Sequence, residues 1–436
     1  MESILESQNL GSDAKAPRME TKSSGAGLKS GDADEITRLE ADNLALREEL
    51  ATCRRLLSSL VEHSPISENL PHSPQPGSDP ASEDIVQNRD PDPYFDSYGH
   101  FAIHGEMLTD HIRTDSYRNF ILSNSKPYFA GKCVLDVGCG TGILSLFAKE
   151  AGAAKVFGVE ASAEIFAAAQ ETLRVNNLDD RITLIRDRVE TVQLPVDQVD
   201  VIISEWMGYF LFFESMLDSV IIAARRFLSP DTGRIFPRHY SLHLTGISCG
   251  TKLRHDYLDL WTNTYGYQMP ALRRAALAEA HVLDLTDLNV VGEESSQGYR
   301  ILTSSSCELY SLDIDSFWKD TSCTLPHQVG CCPFSLLIDA PECFNLDAFV
   351  GYFDVRFDDE APSRVCFSTS PATPTTHWKQ VVFFLDKPLI VNKGDKLTGS
   401  LDILRARYDA RGLEIRLHVD PPNDQLPVEQ TYFLLS

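Results

Sequence analysis

This chain of 436 residues contains no apolar run approaching the roughly 18 residues that a membrane-crossing helix requires. A helical span is therefore excluded. Its first residues, MESILESQNL, lack the basic stretch and following apolar stretch of a secretory signal. Nor is there a C-x-x-C pair: ten cysteines are scattered, and the adjacent Cys331 and Cys332 do not have a ligand spacing. That pattern excludes a metal ribbon and a disulfide framework, and the cysteines read as reduced thiols. Positive charge is scarce. The net charge of −24 argues against a nucleic-acid groove and suits cationic partners. No internal repeat is present. These absences predict a soluble, metal-free intracellular protein, in the cytoplasm with the nucleus left open.

A hydrophobic content of 43% is enough for a substantial core. Residues 1–31 are polar and Gly/Ser-rich and read as disordered. From Ile36 to Leu60 apolar residues follow a three-four spacing, the seam of a coiled-coil helix over 36–60. Residues 64–93 hold seven prolines among Ser, Asp and Glu, the composition of an extended linker. The body starts near Tyr94. Strand and helix signals then alternate, with strands at 134–136, 155–159, 182–185 and 199–203 and helices over 163–175 and 215–227. This rhythm predicts an α/β, Rossmann-like domain over 94–236 with a parallel sheet. From about Pro237 the period becomes two, as in Leu413, Ile415, Leu417 and Val419. A second domain, an antiparallel β-barrel over 237–436, is expected, carrying a helical aromatic insertion at 252–275.

Two stretches carry chemistry. In VLDVGCGTGILS (134–145) a buried strand runs into Gly138, Gly140 and Gly142 and then a helix, which lets the backbone approach a ligand at the strand's carboxyl end. A nicotinamide dinucleotide is the rival ligand. The G-x-G-x-x-G register fails at Ile143, and Asp136 would oppose a pyrophosphate while tolerating a sulfonium and an ammonium. Glu160, ending the next strand, is the natural acceptor for ribose hydroxyls. The second stretch is SEWMGYFLFFE (204–214), in which Glu205 and Glu214 bracket an aromatic turn. Carboxylates in apolar surroundings call for a cation, and the planar fork of arginine matches them bidentately. A guanidinium is a poor nucleophile because its lone pairs are delocalised. Two anions would localise its positive charge away from the reacting nitrogen. A small-molecule methyltransferase and a non-catalytic coiled-coil scaffold remain as other readings.

With PYFDSYGHF (93–101) and THWKQ (376–380), these stretches resemble the protein arginine methyltransferases from about Tyr94 to Ser436. The likeness is greatest to the asymmetric-dimethylating class and its third member, although residues 1–93 cannot form that member's zinc finger. Gly105 stands where the family usually has a glutamate. The resemblance implies S-adenosyl-L-methionine as cofactor, with His104 and Arg113 at its methionine end, Gly138 in the loop, Glu160 at the ribose and Glu190 near the adenine. It implies that Glu205 and Glu214 hold the substrate arginine and that Met107 and Met207 shape the space around its accepting nitrogen. Tyr94 and Tyr98 would sit on a helix closing over the cofactor, and His377 would reach Asp110 from the β domain. The expected partners are Arg-rich or Gly/Arg-rich proteins (ribosomal, RNA-binding or histone) and a second copy, paired through the 252–275 arm. Direct nucleic-acid and membrane contacts are not expected.

Overall fold

Apart from Asp136, the strand Cys133–Val137 is apolar throughout, and residues 134–137 are all buried. Such a strand needs cover on both faces. In the computed structural model, which describes residues 98–286, 298–320, 328–340 and 343–435, it is β1, the centre of a five-stranded parallel sheet. β2 (Lys155–Glu160), β3 (Ile182–Arg186), β4 (Val201–Ile203) and β5 (Arg234–Phe236) complete the order β3-β2-β1-β4-β5. The chain runs outward from β1 to β3 and then returns to β4 on the other side. Open sheets bind ligands at that reversal, beyond the carboxyl ends of the strands. The coiled coil expected at 36–60, the linker and Tyr94 lie outside the described residues.

Five helices accompany the sheet: α1 (Phe101–Thr109), α2 (His111–Ser123), α3 (Ile143–Glu150), α4 (Ala163–Val175) and α5 (Met216–Phe227). In α4 the buried residues are Ile165, Ala169 and Leu173, one stripe at four-residue spacing. The helix has the bounds expected of it, 163–175, and the stripe is the face it packs on the sheet. One turn of π-helix, Ser125–Phe129, follows α2.

The second half is antiparallel. Strands β6 (His239–Cys249), β7 (His281–Leu283), β8 (Tyr299–Ile301), β9 (Cys307–Asp313), β10 (Gln328–Leu337), β11 (Phe344–Arg356), β12 (Cys366–Ser368), β13 (Gln380–Val391), β14 (Lys396–Arg405), β15 (Leu413–Asp420) and β16 (Val428–Leu434) form two sheets. One runs β7-β13-β11-β6-β8, with β9 and β12 paired to β6 and β11, and the other β10-β14-β15-β16. Their inner faces share one apolar cluster that includes Phe334, Phe349, Phe353, Phe383 and Tyr432. β15 alternates as its sequence requires, burying Leu413, Ile415, Leu417 and Val419. The insertion folds as α6 (Thr251–Tyr257), a 3-10 turn (Asp259–Thr262) and α7 (Pro270–Ala278), so it runs slightly past the expected residue 275. Leu253 and Leu258 pack it on the outer face of the larger sheet, while Tyr265 and Tyr267 stay exposed. A short helix, α8 (Ile314–Lys319), follows β9.

The two halves meet along α2. The Asn124 side chain donates to the carbonyl of Ser363 at 2.8 Å and accepts from its N–H at 3.0 Å. Phe357, just past β11, is fully buried, with ring centroids 4.9 Å from Tyr117 and 4.8 Å from Phe120. Truncating a buried Phe costs about 3–5 kcal/mol, and each kcal/mol shifts the midpoint of a 150–250-residue protein by about 2–4 °C. Thermal unfolding of Phe357→Ala is therefore expected to have a midpoint lowered by about 5 °C or more, and Phe357→Leu by less than half as much. Equal, small shifts in both variants would show that this contact does not unite the halves.

Candidate functional site

Beyond the carboxyl end of β1 lies a cleft of about 1310 Å³, counting the open solvent at its mouth. It has room for a nucleoside-sized ligand and an incoming side chain. Its wall includes Gly138, Gly140, Glu160, Glu190, Glu205 and Glu214, with Tyr98, His104, Met107, Arg113, Met207, His377 and Arg411.

The glycine loop has the backbone that its residue types predict. Gly138, Gly140 and Gly142 have φ of 68°, 51° and 81°, a region L-residues enter at a cost. A Cβ on Gly138 would also stand 2.3 Å from the Met216 methyl. Gly140 N–H donates to Glu160 Oε2 at 2.9 Å, and Ser162 N–H to Glu160 Oε1 at 2.8 Å, which fixes this carboxylate at the loop. Nearby, Glu190 accepts from Ser219 Oγ at 2.6 Å.

Two residues expected at the cofactor lie behind the wall: among the described residues the lining includes neither Asp136 nor Gly142. Gly142 precedes the first turn of α3 in a left-handed conformation and sets the angle at which that helix leaves the loop. Asp136 is fully buried in β1, and its Oδ2 accepts from Ser145 Oγ at 2.8 Å. Its Oδ1 is an acceptor with no hydrogen-bond partner among the described residues. Burial, opposed by Ser145 and reinforced by the Glu160 charge, pushes its pKa up to about 7. A buried acceptor directly before the glycine loop suits a cationic ligand.

The loop that carries Glu205 and Glu214, here called the clamp loop after its expected role, begins where β4 ends. Ser204 Oγ donates to the Val137 carbonyl at 2.8 Å, and Tyr117 Oη to the Ser204 carbonyl at 3.0 Å, so the ends of β1 and β4 are pinned together. Glu205 then meets Arg113, whose Nη2 and Nε lie 2.9 and 3.1 Å from its Oε2. Both side chains are buried, 7% and 9% exposed, so each neutralises the other. Glu214 receives the Tyr98 hydroxyl on Oε2 at 2.7 Å. Tyr98 lies in a turn ahead of α1 rather than on the expected helix. Its carbonyl accepts from His104 Nε2 at 2.8 Å, which turns Nδ1 of that ring toward the Gly140 side.

Asp110 is a positioning residue, not part of the wall. Its Oδ1 caps α2 by accepting from Arg113 N–H at 3.0 Å, and its Oδ2 accepts from His377 Nδ1 at 2.7 Å. Burial alone would raise its pKa, but the hydrogen bonds from His377 and the Arg113 backbone hold it below the usual carboxylate range. The barrel thereby touches the helix that carries Arg113.

Other contributors were not singled out from the sequence. Trp206 Nε1 donates to Tyr240 Oη at 2.9 Å, and Trp378 Nε1 to the Met207 carbonyl at 2.7 Å. Trp378 sits inside the quoted THWKQ stretch, so a signal existed for it. Arg411 had none, because it belongs to a polar turn almost 200 residues beyond the loop it touches.

Comparison with known proteins agrees with this geometry. Residues 134–231 match the family described as "Methyltransferase domain", and residues 239–421 the one described as "Arginine methyltransferase oligomerization subdomain". The chain is 40% identical over 341 residues to protein arginine N-methyltransferase 1 of Chlamydomonas reinhardtii, covering 78% of this chain and 91% of that one. Its likeness to the Schizosaccharomyces pombe protein of the same name is 39% over 326 residues, covering 74% and 88%. Among solved structures, the Trypanosoma brucei PRMT1 enzyme–prozyme heterotetrameric complex with AdoHcy superposes with a TM-score of 0.68 at 36% identity, covering 78% and 99%. Arabidopsis thaliana protein arginine methyltransferase 10 superposes at 0.63 with 30% identity, covering 78% and 99%. The cleft that joins a glycine loop to two glutamates thus lies in a member of the protein arginine N-methyltransferase family, whose enzymes transfer methyl groups from S-adenosyl-L-methionine to arginine in proteins.

Proposed function

We propose that this enzyme produces mono- and asymmetric dimethylarginine in Arg-rich or Gly/Arg-rich proteins and works as a homodimer joined through its arm. One observation carries the reading: Glu205 and Glu214 share a single cleft with Arg113, Glu160 and the glycine loop. Net charge −24 favours cationic substrates, ribosomal, RNA-binding or histone proteins among them. The exposed Tyr265 and Tyr267 on the arm support pairing of two copies. Likeness to the third member rests on the quoted motifs, and a cytoplasmic location, with the nucleus open, on ten cysteines that read as reduced thiols.

The residues present suit the cofactor. Arg113 and His104 would hold its methionine part, Glu160 the ribose, and Glu190 with Ser219 the adenine, while Asp136 would offer its buried acceptor beneath the cationic groups. Once bound, the cofactor supplies an electrophilic methyl group on a sulfonium. Glu205 and Glu214 accept hydrogen bonds from the substrate guanidinium, keep its charge on the held nitrogens, and leave the third as nucleophile. Binding both partners in one cleft removes most of the entropic cost of the encounter. The proton released on N-methylation leaves through His377, whose Nδ1 is committed to Asp110 and whose Nε2 exchanges it. Met107 and Met207 limit the space at the accepting nitrogen.

Replacing Glu205 or Glu214 by Gln keeps the shape and deletes one charge. Methylation of a Gly/Arg-rich peptide should fall by at least about 100-fold, while S-adenosyl-L-homocysteine still binds; near-normal turnover in either variant would refute the clamp. Mass spectrometry of the wild-type product should show asymmetric dimethylarginine. Symmetric product would contradict the class, and Met107→Phe should lower the ratio of di- to monomethylation. The last prediction concerns pH. Because Asp136 keeps its proton in the fold up to about 7, but loses it near 4 when unfolded, its stability contribution falls as pH rises through that window. A cationic ligand favours the ionised form. The affinity for S-adenosyl-L-methionine, whose sulfonium carries the positive charge, measured by calorimetry without peptide, should therefore rise about tenfold from pH 6 to 8. Asp136→Asn should flatten that rise; an unchanged slope would show that Asp136 is not the group responsible.

A further inference from the structure

The clamp loop is strained. Phe210, Leu211, Glu214 and Ser215 have φ of 51°, 67°, 74° and 58°. Non-glycine residues persist there only when their surroundings over-determine them, at about 1–3 kcal/mol each. Within the loop, Gly208 N–H reaches the Leu211 carbonyl at 3.1 Å. A Cβ on Gly208 would lie 2.1 Å from the Phe213 carbonyl oxygen, so the turn is also as tight as its residues permit. Its two left-handed pairs need an external hold, and Glu214 belongs to the second.

That hold comes from the turn joining β14 to β15. Glu214 N–H donates to the Arg411 carbonyl at 2.8 Å, and Arg411 Nη1 donates back to the Glu214 carbonyl at 2.8 Å. Ser215 Oγ reaches the Ala410 carbonyl at 3.3 Å, and Arg405 Nη2 lies 2.5 Å from Asp218 Oδ2 on α5. The turn itself is well made. Arg411 N–H donates to Asp409 Oδ1 at 2.9 Å, Gly412 N–H to the Asp409 carbonyl at 3.1 Å, and Ala406 N–H to the Gly412 carbonyl at 2.9 Å. Both peptide groups of the strained clamp glutamate are thus bonded to one arginine of the barrel, and that arginine also lines the cleft.

We infer that Arg411 is a positioning residue for the methyl transfer: its guanidinium and carbonyl grip the peptide groups flanking Glu214 and hold its carboxylate where the substrate arginine must be received. Arginine suits the task because its charged fork binds a carbonyl firmly while its own peptide accepts in return. Lysine can reach the carbonyl with a single ammonium and replaces part of the grip. Without it, Glu214 relaxes toward ordinary backbone angles and its carboxylate swings away. A displacement of about 1 Å in such a group costs roughly 100-fold in rate. The glycine loop and Glu160 lie on other elements, so cofactor affinity is untouched.

This inference rests on the proposed role of Glu214, so the experiment has one arm that reads the loop without turnover. In the full-length protein, Arg411→Ala should speed hydrogen exchange in peptides covering 208–215 while leaving those over 134–145 unchanged. With a Gly/Arg-rich peptide, its kcat should fall by roughly 100-fold with a smaller change in KM and S-adenosyl-L-homocysteine affinity within about twofold. Arg411→Lys should recover part of kcat, and Tyr408→Ala, on the same turn but 96% exposed, should match the wild type. Unchanged exchange over 208–215 would overturn the inference even if no peptide were methylated. So would a wild-type kcat in Arg411→Ala, or a parallel loss of kcat, cofactor affinity and melting temperature, which would mark Arg411 as a general structural brace.

Discussion

Two carboxylates standing a few residues beyond a buried strand are an unstable arrangement unless something else holds them, and most of the site answers that requirement. Glu205 is 9% exposed, and its charge is met by Arg113, itself 7% exposed. A buried carboxylate left without a cation would cost several kcal/mol. Glu214 is met by the Tyr98 hydroxyl, and the backbone that carries it is turned into a left-handed conformation. The proposed clamp therefore holds its shape through partners that an arriving guanidinium would have to replace or join.

Those partners come from three directions and from both halves of the chain. α2 supplies Arg113, and the turn ahead of α1 supplies Tyr98. The barrel supplies Trp378 at Met207, Arg411 at Glu214 and His377 at Asp110. Asp110 divides its two oxygens between the cap of α2 and His377, so one carboxylate couples the helix carrying Arg113 to the β domain. The parallel sheet fixes only where the strands end. The barrel fixes how the loop leaving β4 is folded.

The parts visible from sequence were those with local causes. Continuous apolar runs gave the parallel strands, four-residue spacing gave α4, and alternation gave β15. The glycine loop and both glutamates stood out because their residue types are costly anywhere else. The struts were less visible, since a polar turn such as 406–412 acquires meaning only when folding brings it against residue 214. Tyr98 was expected on a helix over the cofactor, and its turn and its bond to Glu214 depend on tertiary contacts. Asp136 and Gly142 read from sequence as cofactor-binding residues, but local sequence does not say which atoms face a cavity and which stand behind it.

We propose that one clamp, shared between two glutamates and released from Arg113, receives the arginine. A crystal structure of the full-length protein with S-adenosyl-L-homocysteine and an arginine-containing peptide would test it most directly. The substrate guanidinium should lie within about 3 Å of both Glu205 and Glu214, with the Arg113 fork turned toward the carboxylate of the bound product. A guanidinium held by only one of the two glutamates, or Arg113 still closed on Glu205 with both ligands in place, would contradict it.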